Sequence, residues 1–438
     1  MDNPFVFDDR YTILLNPSLI DPWNVRDILF HNVARPVVNA SYAFDRCLWG
    51  FSSFGFHLTN FILHVVAIGL FYGWCTRALS DGARQGSDLA PASIRLRMPV
   101  GREWAAFFAA AVFGLHPAMT QAVEYVSARS ELLAACGILV SLMFARRAIV
   151  ASSRSAAAIA ALAGALAIGS SGSAAALPIL VLAYDAWVLR DPGWRRRWWR
   201  VYAPATAAVG LAAAWWLSAI VSADRVPARN LVQNFLTQTV VIWRYVGLLL
   251  VPAGQSIVHD VRWIVTPVDP IALTAVGGAI VALVLAARIR RSAPLVAFGI
   301  VWFFAVLLPT AVAPLREPMM EHRLYVPSLG LLLAAATALS RPLAMHRTVR
   351  LVALATVLVL AAVTRARNLA WSEPVRIWEE AVQRAPAAWQ AHFEYGESLR
   401  EAGKCDRALP EYDAALRLNP GLDAARAQRS VCERRRDR

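Results

Sequence analysis

The chain has 438 residues, 58% of them hydrophobic and only 17% charged, with a mean hydropathy of +0.45. That balance excludes an ordinary water-soluble globule and predicts a polytopic membrane protein. The formal net charge of +14 would suit nucleic acid, but the basic residues are distributed as membrane topology requires, so no nucleic-acid partner is expected.

Residues 1–53 read as an extracytoplasmic loop with an acidic motif, Asp8 and Asp9, in the run Phe5 to Arg10. Adjacent carboxylates can divide labour: one accepts a proton from a hydroxyl nucleophile, the other orients the acceptor or tunes its neighbour's pKa. Taken alone, the pair is better explained as a solvated loop or a helix N-cap.

Residues 54–364 read as a transmembrane bundle of ten spans. The apolar windows are Phe54 to Cys75, Trp104 to Leu115, Leu132 to Phe144, Ala156 to Gly169, Ala174 to Leu189, Tyr202 to Val221, Ile271 to Ala287, Leu295 to Val312, Val326 to Leu339 and Val349 to Thr364. Several fall short of the roughly 20 residues a straight span needs, so their ends extend into polar flanks or are buried among neighbours. Nineteen arginines lie in alternate loops (76–103, 145–155, 190–200, 288–291 and 341–350), against seven in the intervening ones. By the positive-inside rule the first set is cytoplasmic, and both ends of the chain face outward. Alternation then requires Leu231 to Val251, with Gln233, Gln238 and Arg244, to lie in the interface or dip in and out. An outward N-terminus also calls for a further apolar helix upstream of Met1.

His57, Asn60 and His64 share one face of the first span, a pattern read as buried helix-to-helix hydrogen bonding. Paired metal ligands are the sharper reading, but no carboxylate in that span completes a site, and no metal ligands are assigned. The cysteines, Cys47, Cys75, Cys136, Cys405 and Cys432, are odd in number and imply neither a disulfide framework nor a zinc site.

The outward span ends gather ionisable side chains. His116 ends the second span; Gln121, Glu124, Arg129 and Glu131 follow in the next turn. His259 and Asp260 follow the interfacial helix, and Glu321, His322, Arg323 and Tyr325 precede the ninth span. Such groups are costly near a bilayer and mark functional sites or structural ion pairs.

Residues 365–438 turn charged and Ala-rich, with a 34-residue period that matches Trp378 to Tyr412, Ala381 to Ala415 and Pro386 to Pro420. This spacing, with Gly396 and Ala408, predicts one and a half tetratricopeptide repeats, an extracytoplasmic helical tail that docks a polypeptide or forms a structural lid.

Several of these motifs carry a resemblance. Phe5 to Arg10, His57 to His64, His116-Pro117 through Thr120-Gln121-Ala122-Val123 to Arg129, Thr237-Gln238, His259-Asp260, Trp302-Phe303-Phe304, Leu308-Pro309-Thr310 and Glu321 to Ser328 occur in order. The chain resembles membrane glycosyltransferases of the GT-C fold that end in tetratricopeptide repeats, bacterial relatives of the protein O-mannosyltransferases. The resemblance implies an all-α, GT-C-like polytopic bundle with a short repeat domain, in a bacterial inner membrane. It further implies a polyprenyl-phosphate-linked sugar donor, inversion at the sugar carbon, and an acceptor hydroxyl on a protein or glycan that the tail docks. No other cofactor is assigned, and a divalent metal is left open.

On this resemblance Asp9, or its neighbour Asp8, is the catalytic base. Arg129, Arg323 and His322 hold the donor phosphate, and His116, Glu321, Tyr325, His259 and Asp260 support them. Where many relatives have a Lys-Glu pair after a serine, this chain has Ser170-Ser171-Gly172-Ser173, so a cation is missing there. The alternative is a catalytically inactive membrane scaffold that binds partner proteins through its tail. A transporter would call for related halves and polar residues at mid-membrane, and neither pattern is present.

Overall fold

The computed structural model describes residues 3–84, 92–190, 230–313 and 317–436, with isolated positions 193, 203, 207 and 210. Those residues are all helical or loop, and the fold is an all-α polytopic bundle. The amino-terminal segment, expected as a loop, instead contains α1 (Val25–His31) and α2 (Pro36–Trp49). The bundle follows as α3 (Ser53–Arg84), α4 (Ala92–Leu115), α5 (Thr120–Glu124), α6 (Arg129–Ala151), α7 (Arg154–Ile168) and α8 (Leu177–Tyr184). It continues with α9 (Leu231–Leu250), α10 (Pro270–Ile289), α11 (Pro294–Val312), α12 (Tyr325–Met345) and α13 (Arg347–Trp371). The tail consists of α14 (Pro374–Arg384), α15 (Trp389–Glu401), α16 (Cys405–Leu418) and α17 (Asp423–Arg436).

Seven helical stretches among the described residues are long and apolar enough to cross a bilayer: Ser53–Ala83, Val126–Ala151, Gly172–Leu189, Pro270–Ile289, Pro294–Val312, Glu321–Met345 and Arg347–Trp371. An eighth arises if Val100–Leu115 and Pro117–Glu124, bent by 54° at His116, form one span. The expected fourth window is the shorter apolar helix α7, and Tyr202 to Val221 lies almost wholly outside the described residues. The helix expected to end at Thr364 runs on to Trp371, so the tail begins as its direct continuation.

Local sequence sets the helix ends. Asn230 caps α9 by accepting from the backbone N–H groups of Val232 and Gln233, and Asp269 caps α10 through those of Ile271 and Ala272, with Pro270 in the first helical position. α9 is one unbroken helix whose polar face turns inward: Asn234 donates to the carbonyls of Thr310 and Ala311, and Gln238 to that of Pro318. The helices pack through small residues. A Cβ on Gly299 of α11 would lie 2.2 Å from the carbonyl oxygen of Gly330 on α12, so these two backbones touch. Trp74, Trp302, Phe113 and Tyr325 fill the core.

At one end of α3, Asn60 joins the polar cluster described below. At the other, Asp81 accepts from Arg146 of α6 and from the Tyr184 hydroxyl. About 30 Å of helix separates these two polar latches, roughly the depth of a hydrocarbon core.

In the tail, Gly396 of α15 leaves room for the Tyr412 ring of α16, whose hydroxyl donates to Glu397 at 2.6 Å. One expectation is overturned here. Cys405 and Cys432 form a disulfide, their Cα atoms 5.1 Å apart, across 27 residues of sequence. Spacing along the chain carried no such signal because the α16–α17 hairpin, not a cysteine motif, brings the two together.

Candidate functional site

The acidic motif is held by a turn far away in sequence. Phe7 adopts a left-handed φ of 53°, a conformation that is unfavourable without glycine. Its ring packs on Tyr125 and Trp378, and those contacts hold it there.

Past this corner the two carboxylates part. Asp9 is fully buried and accepts from Ser127 twice, from the N–H at 2.7 Å and the hydroxyl at 2.6 Å. The N–H groups of Val6 and Val126 each donate to it at 3.3 Å. Burial pushes the Asp9 carboxyl up to about 7, against the opposing pull of these hydrogen bonds. Asp8 faces outward and accepts from the Tyr125 phenol. Burial first, then the nearby Asp8 and Asp9 charges, keep that phenol protonated far above its ordinary range.

Tyr125 leads to the second motif. Its ring lies 5.8 Å from that of His322. Gln121 Oε1 accepts from the His322 backbone N–H at 2.7 Å and lies 3.2 Å from its Nδ1. The buried Glu321 carboxylate accepts from the Ser256 N–H at 2.6 Å, from Gln255, and from His259 Nε2 at 3.0 Å. It pins the 255–259 loop to the start of α12. Asp260 is exposed, and its carbonyl accepts from Arg244.

Two of the expected supporting residues fasten helices. His116 Nε2 donates to the Leu249 carbonyl while its Nδ1 accepts from the Ala118 N–H, so both ring nitrogens are engaged. Tyr325 donates to His64 Nδ1 at 2.7 Å, and His64 Nε2 donates to the Gly114 carbonyl. His57 Nε2 donates to the Asn3 carbonyl, and Asn60 donates to that of Val123. That face of α3 therefore serves hydrogen bonding between segments.

The two arginines expected beside a phosphate have different surroundings. Arg129 is fully buried: it pairs with Asp45 at 2.6 Å and donates to Asn60, the Phe56 carbonyl and Ser41, with its guanidinium 4.8 Å from the Tyr42 ring centre. Asp45 in turn accepts from Thr59. This cluster ties α2, α3 and α6 together. Arg323 is half-buried and donates to the Glu317 carbonyl at 2.7 Å, and its charge acts on Glu131 and His322.

A second cation, unnoticed in the sequence, acts on the same two groups: Arg35, at the head of α2. It is exposed and forms no ion pair among the described residues. The chain just beyond it is bonded to the serine-rich turn, with the Val37 N–H donating to the Gly169 carbonyl. In that turn Ser171 and Ser173 donate to Glu131 at 2.7 and 3.4 Å. The only sequence signal for Arg35 was an arginine before Pro36 at a helix start.

The tail covers the acidic loop. Trp378 meets Phe7 with ring centres 5.7 Å apart, and Arg10 reaches Glu397 and Glu401 at 3.5 Å each. Burial, with Glu397 and Asp8 close by, pushes the Glu394 carboxyl up to about 8.

Two fly proteins share sequence with this chain. It is 32% identical over 141 residues to Protein O-mannosyl-transferase Tmtc3 of Drosophila melanogaster, covering 31% of this chain and 15% of that protein. It is 29% identical over 157 residues to Protein O-mannosyl-transferase Tmtc2 of the same organism, covering 32% of this chain and 14% of the relative. The matched stretches thus span about a seventh of those longer proteins, and the relationship is distant homology. No family model matches the chain, and no solved structure does.

Proposed function

We propose that the protein is a membrane glycosyltransferase that moves a sugar from a polyprenyl-phosphate donor to a hydroxyl on a protein or glycan outside the cytoplasm. The observation that carries this reading is the convergence of the Asp8-Asp9 loop with Tyr125, His322 and Arg323 on one surface. The distant homology to two O-mannosyltransferases supports it.

In this reading Asp8 is the general base and Asp9 the residue that positions it. A base must reach the acceptor hydroxyl; Asp8 is exposed, whereas Asp9 is enclosed by four donors. The acceptor oxygen attacks the anomeric carbon as its proton passes to Asp8. The bond to the phosphate oxygen breaks on the opposite face, inverting the carbon, and the leaving lipid phosphate keeps the electron pair. Arg35 and Arg323 neutralise the charge that gathers there. Arg129, closed around Asp45, holds the scaffold from which they project. Arg35 stands beside the Ser170–Ser173 turn and replaces the cation missing from it. Membrane lipid supplies the donor, and the tail over the acidic loop presents the acceptor.

The test is sugar transfer from a polyprenyl-phosphate-mannose donor in membranes containing the full chain. Asp8→Asn is expected to lower the rate at least about 100-fold, the usual scale for a lost general base, with unchanged thermal stability. Transfer at the wild-type rate by Asp8→Asn would remove the assignment.

A further inference from the structure

The tail holds a covalent link that bears on where the whole site resides. Cys405 is the first residue of α16, and Cys432 is buried in α17. Their disulfide closes the last hairpin of the repeat. α17 is the outermost helix of this stack, strongly basic and with little apolar surface: Ala425 and Cys432 are its buried residues. Terminal helices of repeat arrays lack the neighbour that would hold them, and here a covalent bond takes that place. The other cysteines lie elsewhere: Cys47 in α2, Cys75 in α3 and Cys136 in α6.

Disulfides form and persist in oxidising compartments, whereas thiols are kept reduced in the cytosol. The tail also touches the acidic loop directly, through Trp378 on Phe7 and Glu397 on Arg10. Such contacts cannot extend across a bilayer, so loop and tail share one side. We infer that Cys405 and Cys432 are oxidised in the mature protein to a disulfide that caps the repeat, and that the tail and the acidic loop beneath it both face an oxidising compartment. Two thiols lose two protons and two electrons to form the bond. A disulfide-bearing thiol oxidant of that compartment receives them and becomes a dithiol. This placement rests on cysteine chemistry and packing alone. It is independent of the arginine bias of the loops and of sugar transfer.

The experiment uses the full chain in native membranes, with Cys47, Cys75 and Cys136 replaced by Ser so that only the pair remains. After denaturation, a maleimide polymer should add to neither thiol before reduction and to both after it. Addition to both without reduction would overturn the disulfide. Peptide mapping of the wild-type protein under non-reducing conditions provides the same answer should the replaced chain not fold, since a cross-linked Cys405–Cys432 peptide is expected and two alkylated peptides would refute it. For the compartment, intact cells are treated with a membrane-impermeant phosphine and then an impermeant maleimide. Labelling of the pair before lysis is expected; labelling only after lysis would overturn the placement. Neither arm measures sugar transfer, so loss of activity in Asp8→Asn and failure of the disulfide are separate outcomes.

Discussion

Asp9 and Ser127 meet across 118 positions of sequence through two hydrogen bonds of 2.6 and 2.7 Å, which fasten the acidic loop to the bundle. The geometry divides an apparently equivalent pair. One carboxylate becomes part of the fold, and its neighbour is left facing outward beside Tyr125.

The raised pKa of Asp9 makes that attachment pH-dependent. The folded protein binds this proton more tightly than the unfolded chain does, from the ordinary 3.8 up to about 7. The stability it contributes is therefore fully present below pH 3.8 and is lost as pH rises through about 7, at up to roughly 1.4 kcal/mol per pH unit. Thermal unfolding of the detergent-solubilised protein between pH 5 and 8 should show a declining midpoint, and Asp9→Asn should flatten the decline. An equal slope in Asp9→Asn would assign the effect to another group.

Ser127→Ala removes the hydroxyl donor while leaving the backbone N–H in place. Loss of one partner of a buried carboxylate costs about 1–3 kcal/mol, so the unfolding midpoint should fall, and more steeply at pH 8 than at pH 5. Because Thr12 also bonds the Ser127 hydroxyl at 2.7 Å, Thr12→Val should produce a smaller loss in the same direction. An unchanged midpoint in Ser127→Ala would mean that the hydroxyl adds nothing to the hold that the backbone N–H groups of Val126 and Ser127 already have on Asp9.

Arg129→Gln should destabilise by about 3–5 kcal/mol, because it strands the buried Asp45 carboxylate without its cation. The paired change Arg129→Met with Asp45→Leu removes both charges and should recover much of that loss. Protein yield and thermal midpoint in detergent decide the matter, and a double variant no more stable than Arg129→Gln would contradict the ion-pair account.

What the sequence made legible follows from the range of the forces involved. Span positions are local, since an apolar run announces itself wherever it falls, and each of the seven stretches long enough to cross a bilayer among the described residues contains an expected window. The Asp45–Arg129 pair was not readable, because Asp45 lies on a short helix in a segment with no strong periodicity, 84 residues before its partner. Arg129 stood out correctly as costly near a bilayer, but cost alone does not say whether a cation faces a ligand or a buried carboxylate. The same limit hid Arg35, whose influence on Glu131 and His322 depends on how the start of α2 is bonded to the chain at Gly169, just before the serine-rich turn.

Arg10 couples the loop to the tail, and its reversal should uncouple them. Arg10→Glu places a like charge against Glu397 and Glu401, close to Glu394, whose carboxyl is already raised to about 8. Limited proteolysis should then cut between α13 and α14 sooner than in the wild type. High salt should narrow the difference, since the pair is half exposed and screened. Equal cleavage rates would mean that Trp378 on Phe7 holds the tail by itself.

The division of labour between arginines yields the sharpest functional test. Arg35 is exposed and Arg323 half-buried, and both act on Glu131 and His322. A charge-assisted bond to phosphate contributes about 1.5–3 kcal/mol, or roughly 10- to 150-fold in affinity. Arg35→Gln should therefore raise the KM for a polyprenyl-phosphate sugar by about that factor without lowering the thermal midpoint, the reverse of what Arg129→Gln does. Arg323→Gln should raise KM similarly. The two together should exceed either alone, because in the proposed site the cations stand on separate segments, one ahead of α2 and the other ahead of α12. If Arg35→Gln leaves KM unchanged while Arg323→Gln raises it, the phosphate rests on the α12 side only, and the serine-rich turn takes no part in holding the donor.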